Sequence, residues 1–478
     1  MRHVLGLLSF IFASCLPAWG GDLPSQITVH AEPAGQVIDG FGVAQAGWAD
    51  QLFLFENRER VIEALFGETG LKLNLLRGEV FPHYSEKPGR FRFDLQADTS
   101  LVPATATAPI EQNELLRKGQ AWLVLRVRDR YPQTRFIFST WSPPAWMKSN
   151  GAVSDGRLKP ECYPDFAAYL AEFCRAFQSA GIPPYAVSPS NEPGYAAPWN
   201  SCLWTAGEMG DFIDNFLIPT LQKENIDTRI VFGENPLWSV VHPMLAPMSS
   251  ANFVSTVLQQ HPSLTRYPVI AAGHGYMLPD TLTRIPAEIR KTPVIPFVEA
   301  EKRRIPVWVT EISDIDPLDT SMKDGLKWAA TFHRYLTEAR VNGFVWWAGA
   351  QPTGTNESLI ILDKNRREYG FTKRYDAFGN YTRYIPAGSR RAETEQTGLP
   401  GEVKVSAFYK DGRYTVVVIN PTGHTVKCRL RLENNPQRTN LKSYTTDKTR
   451  RWEVGTVPYD RTGYRLALPP ESVVTYIR

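Results

Sequence analysis

A chain of 478 residues, 43 % of them apolar, can bury a large core and is too long for one small domain; it suits a barrel with an accessory domain. Its 53 basic and 49 acidic residues leave a net charge of +4, with only short basic clusters such as Arg303-Arg304 and Arg390-Arg391, which argues against a nucleic-acid partner. The 13 Trp and 19 Tyr, many of them beside Gly, Pro or Asn, favour a planar, hydroxylated ligand such as a sugar.

The N-terminus reads Met1-Arg2-His3, an apolar run from Val4 to Leu16, then Pro17-Ala18-Trp19-Gly20-Gly21-Asp22. At about 13 residues the run is too short to span a bilayer and describes a secretory signal peptide over residues 1–20, so the product is expected to be secreted or periplasmic. Phe12-Ala-Ser-Cys15 is a poor lipobox, which leaves lipoprotein anchoring as the lesser alternative. No later segment is apolar enough to cross a membrane. Cys162, Cys174, Cys202 and Cys428 remain, with no CxxC pair and no His at zinc spacing, so no structural metal is expected. In an oxidising compartment they allow either a Cys162–Cys202 disulfide or buried free thiols.

Gln26-Ile-Thr-Val-His-Ala alternates as a strand, within a segment (21–35) expected to join the C-terminal domain. From Gln36-Val-Ile-Asp-Gly-Phe-Gly-Val43 onward, helical stretches alternate with short apolar strands that end on a polar residue. Strands are expected at Leu71–Arg77 after a helix over 58–66, at Arg135–Trp141 after a helix near 114–131, and at Pro184–Asn191 after a helix over 163–179. Further strands are expected at Thr228–Glu234, Tyr267–His274, Ile305–Glu311 and Val341–Trp347, separated by helices near 208–224 and 251–260 and over 322–339. Eight βα units predict an α/β fold, a (β/α)8 barrel over 36–375 with its site at the C-terminal strand ends. Residues 376–478 carry short strands and turns (403–409, 414–419, 426–432, 472–477) and predict an antiparallel β-sandwich.

Cleavage of a glycosidic bond with retention requires two carboxyl groups about 5–5.5 Å apart, one to donate a proton and one to attack. Glu192, after the apolar run that starts at Tyr185, and Glu311, after Val307-Trp-Val-Thr, are the expected pair. Glu234 and Glu79, just past the second strand, are the competitors; Glu234 is either a group lining the site or a helix-entry carboxylate.

The segments Gln36-x-Ile38-Asp39-Gly40-Phe41-Gly42, Trp141-Ser-Pro-Pro-Ala-Trp146-Met-Lys148-x-Asn150-Gly151 and Ser188-Pro-Ser-Asn191-Glu192-Pro193 together resemble glycoside hydrolase family 30, over nearly all of the chain after residue 26. The resemblance implies Glu192 as acid/base and Glu311 as nucleophile. It implies that Asn191 bonds the sugar 2-hydroxyl, that Tyr276 holds the nucleophile carboxylate, and that Arg77 keeps Glu311 ionised. Trp347 would floor the subsite of the reacting sugar and Trp141 line its wall. His274 is expected as a hydrogen-bonder at the rim, with no part in proton transfer.

One departure from the family stands out: Arg77-Gly-Glu-Val-Phe-Pro-His83-Tyr84 lacks the aspartate that relatives often carry, and Glu79 or His83 would have to replace it. In the loop Gly194–Thr205, Trp199, Trp204 and Tyr195 either stack on sugars or pack beneath the loop. The resulting expectation is a secreted, monomeric, retaining endo-β-glycoside hydrolase acting on a β-glycan polysaccharide or oligosaccharide, with xylan foremost and no cofactor. The alternatives are an endo-β-1,6-glucanase or galactanase, an exo-acting β-xylosidase or β-glucosidase, and a carbohydrate-binding protein on an inactive barrel. In the sandwich only Tyr409, Tyr414 and Trp452 offer rings to a glycan.

Overall fold

The computed structural model describes residues 25–478 apart from 31, 33, 86, 90, 92, 94–97, 99–110, 277–287, 289–290 and 434–437. The expected signal peptide lies outside the described residues. β1 (Gln26–Val29) precedes eight parallel strands that close on themselves: β2 (Gly40–Ala44), β3 (Leu75–Glu79), β4 (Arg135–Ser139), β5 (Pro184–Ser188), β6 (Arg229–Gly233), β7 (Val269–His274), β8 (Val307–Glu311) and β9 (Gly343–Trp346). Ala44, Leu75, Ile137, Ala186, Val231, Ile270, Ala272, Trp308 and Val345 fill the lumen, while a larger apolar layer packs the strands against the outer helices. Burial on both faces explains why the strands read as nearly continuous apolar runs.

The helices Arg58–Phe66 and Tyr163–Ser179 lie where the 3.6-residue period puts them. The helix expected near 208–224 runs as Ala206–Phe212 and Ile218–Lys223 around a π turn, Ile213–Leu217, which precedes Pro219. The second barrel strand starts later than expected. Leu71 and Leu73 spend their N–H groups on the carbonyls of Ala64 and Leu65, so pairing begins at Leu75 and extends through Glu79. Glu79 is therefore within the ladder, and strand alternation places it on the same face as Arg77.

A last barrel helix, Lys373–Thr382, runs past the boundary expected at 375. Its residues from Arg374 to Thr382 are all buried, between barrel and sandwich, and a helix buried all round shows no amphipathic period. Asn380 donates to the Tyr444 carbonyl and the Thr475 hydroxyl, and Thr475 donates back to the Asn380 carbonyl, which ties the two domains together. The sandwich has a six-stranded sheet built around β10 (Arg413–Asn420) and β12 (Ser472–Ile477) and a five-stranded sheet built around β11 (Val426–Leu432). β1 pairs in parallel with β11.

Cys162, Cys174, Cys202 and Cys428 are free and buried, which corrects the disulfide alternative. Cys162 and Cys202 sit in the apolar layer of the barrel, with the Lys148 ammonium close to Cys202. Burial pushes the Cys174 thiol up to about 12 and Cys202 to about 11, away from the reactive thiolate. Among the described residues no helix is long and apolar enough to cross a membrane.

Candidate active site

The C-terminal ends of the strands bring Arg77, Glu79, Asn191, Glu192, Glu234, His274 and Glu311 together, all of them buried. Arg77 is the hub. Its guanidinium donates to Glu311 Oε2 at 2.7 Å, to Glu234 Oε1 at 3.1 Å and to Asn191 Oδ1 at 2.8 Å, and lies 4.7 Å above the Trp141 ring. With its oxygen engaged in this way, what the Asn191 side chain has left to offer is its two amide N–H donors. Glu234 also accepts from Ser139 at 2.8 Å, so this competitor is held behind Arg77 by two side chains.

Glu192 and Glu234 both adopt left-handed backbone conformations, φ 49° and 43°, and Glu192 N–H donates to the Glu234 carbonyl at 2.9 Å. Such turns at non-glycine residues persist where surrounding bonds fix them. Glu311 reaches the cluster by a different device. Trp308 belongs to the lumen, so strict alternation would send Glu311 outward. An irregularity in the β7–β8 register pairs Gly273 with Val309 but His274 with Glu311, and the strand changes phase.

Glu192, Glu311 and His274 each offer one atom within 4.8 Å of the others, so the two carboxyl groups have the spacing of a retaining pair. Their environments differ. Burial, and then the charge of Glu311, push the Glu192 carboxyl well above the usual range. Burial raises Glu311 as well, but Arg77 and the Tyr276 hydroxyl, 2.5 Å from Oε1, pull it back. The proton therefore rests on Glu192 and the charge on Glu311. Three such atoms would also suit a divalent ion in spacing, but the buried Arg77 beside them already supplies the positive charge.

His274 is not at the rim. It is fully buried, with Nδ1 3.1 Å from Glu192 Oε1 and 3.8 Å from Glu311 Oε1, because its strand runs to the lumen's top layer. Burial and the nearby Arg77 hold its pKa well below the usual value, so it bonds Glu192 as a neutral ring. Trp347 is half-buried, 6.2 Å from Trp141 and 5.5 Å from Trp48 between ring centroids. Trp199 stands half-exposed and edge-on to Tyr195 at 6.2 Å, whereas Trp204 is packed beneath the loop against Phe212 and Phe166. His83 stacks on Phe81 at 5.0 Å. In the sandwich, Tyr414 is buried and the Trp452 indole donates to the Asp376 carbonyl of the last barrel helix.

Trp48 and Gln45 were not foreseen. Gln45 donates to the Trp48 carbonyl at 3.0 Å and accepts from Ala350 N–H at 2.6 Å, fixing the turn that lays Trp48 against Trp347. The available signal was an aromatic residue just past the end of the first barrel strand.

A closed (β/α)8 barrel that gathers a proton-bearing and an ionised carboxyl group beside Trp141 and Trp347 at the C-terminal strand ends is the architecture of a glycosidase. The model of O-glycosyl hydrolase family 30 matches residues 112–361, and this chain belongs to that family. It is 22 % identical over 468 residues to the glucuronoxylanase XynC of Bacillus subtilis (strain 168), covering 95 % of this chain and 92 % of that protein. It is 31 % identical over 330 residues to the endo-1,6-β-D-glucanase BGN16.3 of Trichoderma harzianum, 65 % of this chain and 63 % of that protein. The solved catalytic domain of the family 30 xylanase C of Talaromyces cellulolyticus superposes with a TM-score of 0.74 at 23 % identity, covering 95 % of this chain and 99 % of that chain.

Proposed function

We propose that the protein is a secreted, retaining, endo-acting β-glycanase with xylan as its leading substrate, Glu192 as acid/base and Glu311 as nucleophile. The observation that carries the mechanism is the closeness of the two carboxyl groups, one oxygen of each within 4.8 Å of the other, in opposed electrostatic settings. Glu311 attacks the anomeric carbon while Glu192 protonates the departing oxygen, leaving a glycosyl ester on Glu311. Glu192, now ionised, takes a proton from water, which attacks the same carbon and frees Glu311. Asn191 N–H groups donate to the 2-hydroxyl, a contact that strengthens as charge develops. Trp347, Trp141 and the exposed Trp199 provide stacking surfaces along the cleft.

Similarity to a glucuronoxylanase along nearly the whole chain supports xylan. The 31 % identity to an endo-1,6-glucanase supports β-1,6-glucan as the second reading. The test is a 2-deoxy-2-fluoro glycosyl fluoride followed by peptide mapping, together with digestion of purified β-glycans. The label is expected on Glu311, and xylan should yield oligosaccharides of mixed length. A label on Glu234 would overturn the nucleophile assignment, and release of monosaccharide alone would overturn endo action.

A further inference from the structure

The Glu192 carboxyl group is placed by its bond to the His274 ring and by the backbone that carries it, and that backbone leaves the sheet early. The β5–β6 ladder pairs Ala186 with Arg229 and Val187 with Ile230 and stops there. Beyond it the chain closes a turn on itself: Tyr195 N–H donates to the Glu192 carbonyl at 2.9 Å across Pro193, which has no N–H of its own. Glu192 N–H and Gly194 N–H tie this turn to β6 and the residues after it. The first reaches the Glu234 carbonyl at 2.9 Å. The second, at 2.7 Å, reaches not a carbonyl but the side-chain oxygen of Asn235.

Asn235 is fully buried just past β6, and its own carbonyl accepts from Ser250 Oγ at 2.9 Å and from His274 N–H at 3.0 Å. One residue thus joins both supports of the acid. Its side chain holds the turn that carries Glu192, and its carbonyl holds the residue whose ring bonds the Glu192 carboxyl group. Gly194 comes this close because it lacks a β-carbon: one built there would collide with the Pro247 carbonyl and stand 2.7 Å from Asn235 Oδ1.

Gly194 N–H can only donate, so the amide oxygen of Asn235 faces it, and Nδ2 is left buried without a partner among the described residues. An unpaired buried N–H is costly and an apolar side chain would avoid it, so the oxygen is what the position is built for. An aspartate would also accept, but would bring a further negative charge into a site that already holds Glu192, Glu234 and Glu311.

We infer that Asn235 is a positioning residue for the acid/base: its amide oxygen stands in for the missing ladder carbonyl and fixes the turn that aims Glu192 at the departing oxygen. This rests on the proposed glycanase function. Without that bond the left-handed backbone of Glu192, φ 49°, keeps one tie to the β6 end instead of two. The damage falls on proton transfer, because Glu311, Arg77 and Tyr276 are mounted on β8, on β3 and just past β7 and hold one another.

The measurement is kcat/KM of the full-length enzyme on aryl β-glycosides of the sugar that wild type prefers, with leaving groups from phenyl to 2,4-dinitrophenyl, for wild type, Asn235→Ala and Asn235→Ser. A displacement of about 1 Å costs about 100-fold, and a positioned acid contributes about 10²–10⁴-fold, so Asn235→Ala should lose about 10- to 100-fold on phenyl glycosides and less than about threefold on 2,4-dinitrophenyl glycosides. On the latter, kcat is limited by hydrolysis of the glycosyl ester, in which Glu192 is the base. Azide attacks the same anomeric carbon, releases Glu311 as a carboxylate and needs no base, so it should raise kcat of the variants and not of wild type. A purely structural role would scale every leaving group alike and leave azide without effect; either result overturns the inference. Should Asn235→Ala fail to fold, Asn235→Ser, which stays polar but is too short for the bond, decides by the same readings. Wild type with neither turnover nor a fluorosugar adduct on Glu311 would refute the glycanase function itself; wild type that turns over, with a uniform loss in the variants, would refute only the role of Asn235.

Discussion

Replacing Arg77 by Met removes the cation that pairs with Glu311 and Glu234 while keeping a long apolar stem beneath Trp141. At a separation of ~4 Å and an effective dielectric of ~20, two unit charges interact by about 4 kcal/mol. That corresponds to about 3 pKa units at 1.36 kcal/mol each. Glu311 shares the guanidinium with Glu234, so about half to all of this reaches it: its pKa should rise by roughly 1.5–3 units. The acidic limb of kcat/KM on an activated aryl glycoside should move up by that amount.

Stability follows the same charges. Breaking a buried pair by removing one partner costs about 3–5 kcal/mol. The stranded Glu311 then has a native pKa further above its unfolded value, so the native state binds more protons than the unfolded state once pH exceeds the unfolded pKa. The penalty is small near pH 4 and grows as pH rises toward the new native pKa. Thermal melts of wild type and Arg77→Met from pH 4 to 7 should diverge with rising pH. An unmoved acidic limb together with a pH-independent melting gap would refute the role of Arg77 as the electrostatic hub.

Glu192→Ala should lose about 10²–10⁴-fold in rate on poor leaving groups and far less on 2,4-dinitrophenyl glycosides, which need no proton, and a uniform loss across leaving groups would contradict the acid assignment. Glu79→Gln should be the more stable protein near neutral pH: a carboxyl raised from 4.5 to about 8 costs up to roughly 3 kcal/mol at pH 7 relative to an isostere that never ionises. Because the native pKa is the higher one, that gain should vanish near pH 4 and grow up to about pH 8, as equilibrium denaturation at several pH values would register. Cys162, Cys174, Cys202 and Cys428 should react with a thiol reagent only after denaturation, and reductant should leave the melting temperature unchanged; a reductant-dependent shift would restore the disulfide.

The periodicities that announce a barrel are local consequences of burial, and they were visible residue by residue. Helix Tyr163–Ser179 shows one apolar stripe because one side packs, and β8 reads apolar because both faces are covered. Glu192 and Glu311 stood out because a carboxylate ending an apolar run is an anomaly that local packing does not explain. Helix Lys373–Thr382 escaped for the opposite reason: neighbours on every side leave it no solvent-facing stripe.

Only the assembled barrel decided the rest. The irregularity opposite His274 that turns Glu311 inward depends on the pairing of two strands, and the burial of His274 beneath the carboxyl groups depends on how far β7 rises into the lumen. That one guanidinium serves three partners contributed by three other strands or their following loops is a matter of closure around the barrel axis. Residue type alone supplied the acids and tryptophans. Which acid keeps its proton, and which tryptophan is left exposed, followed from long-range contacts that set burial and charge.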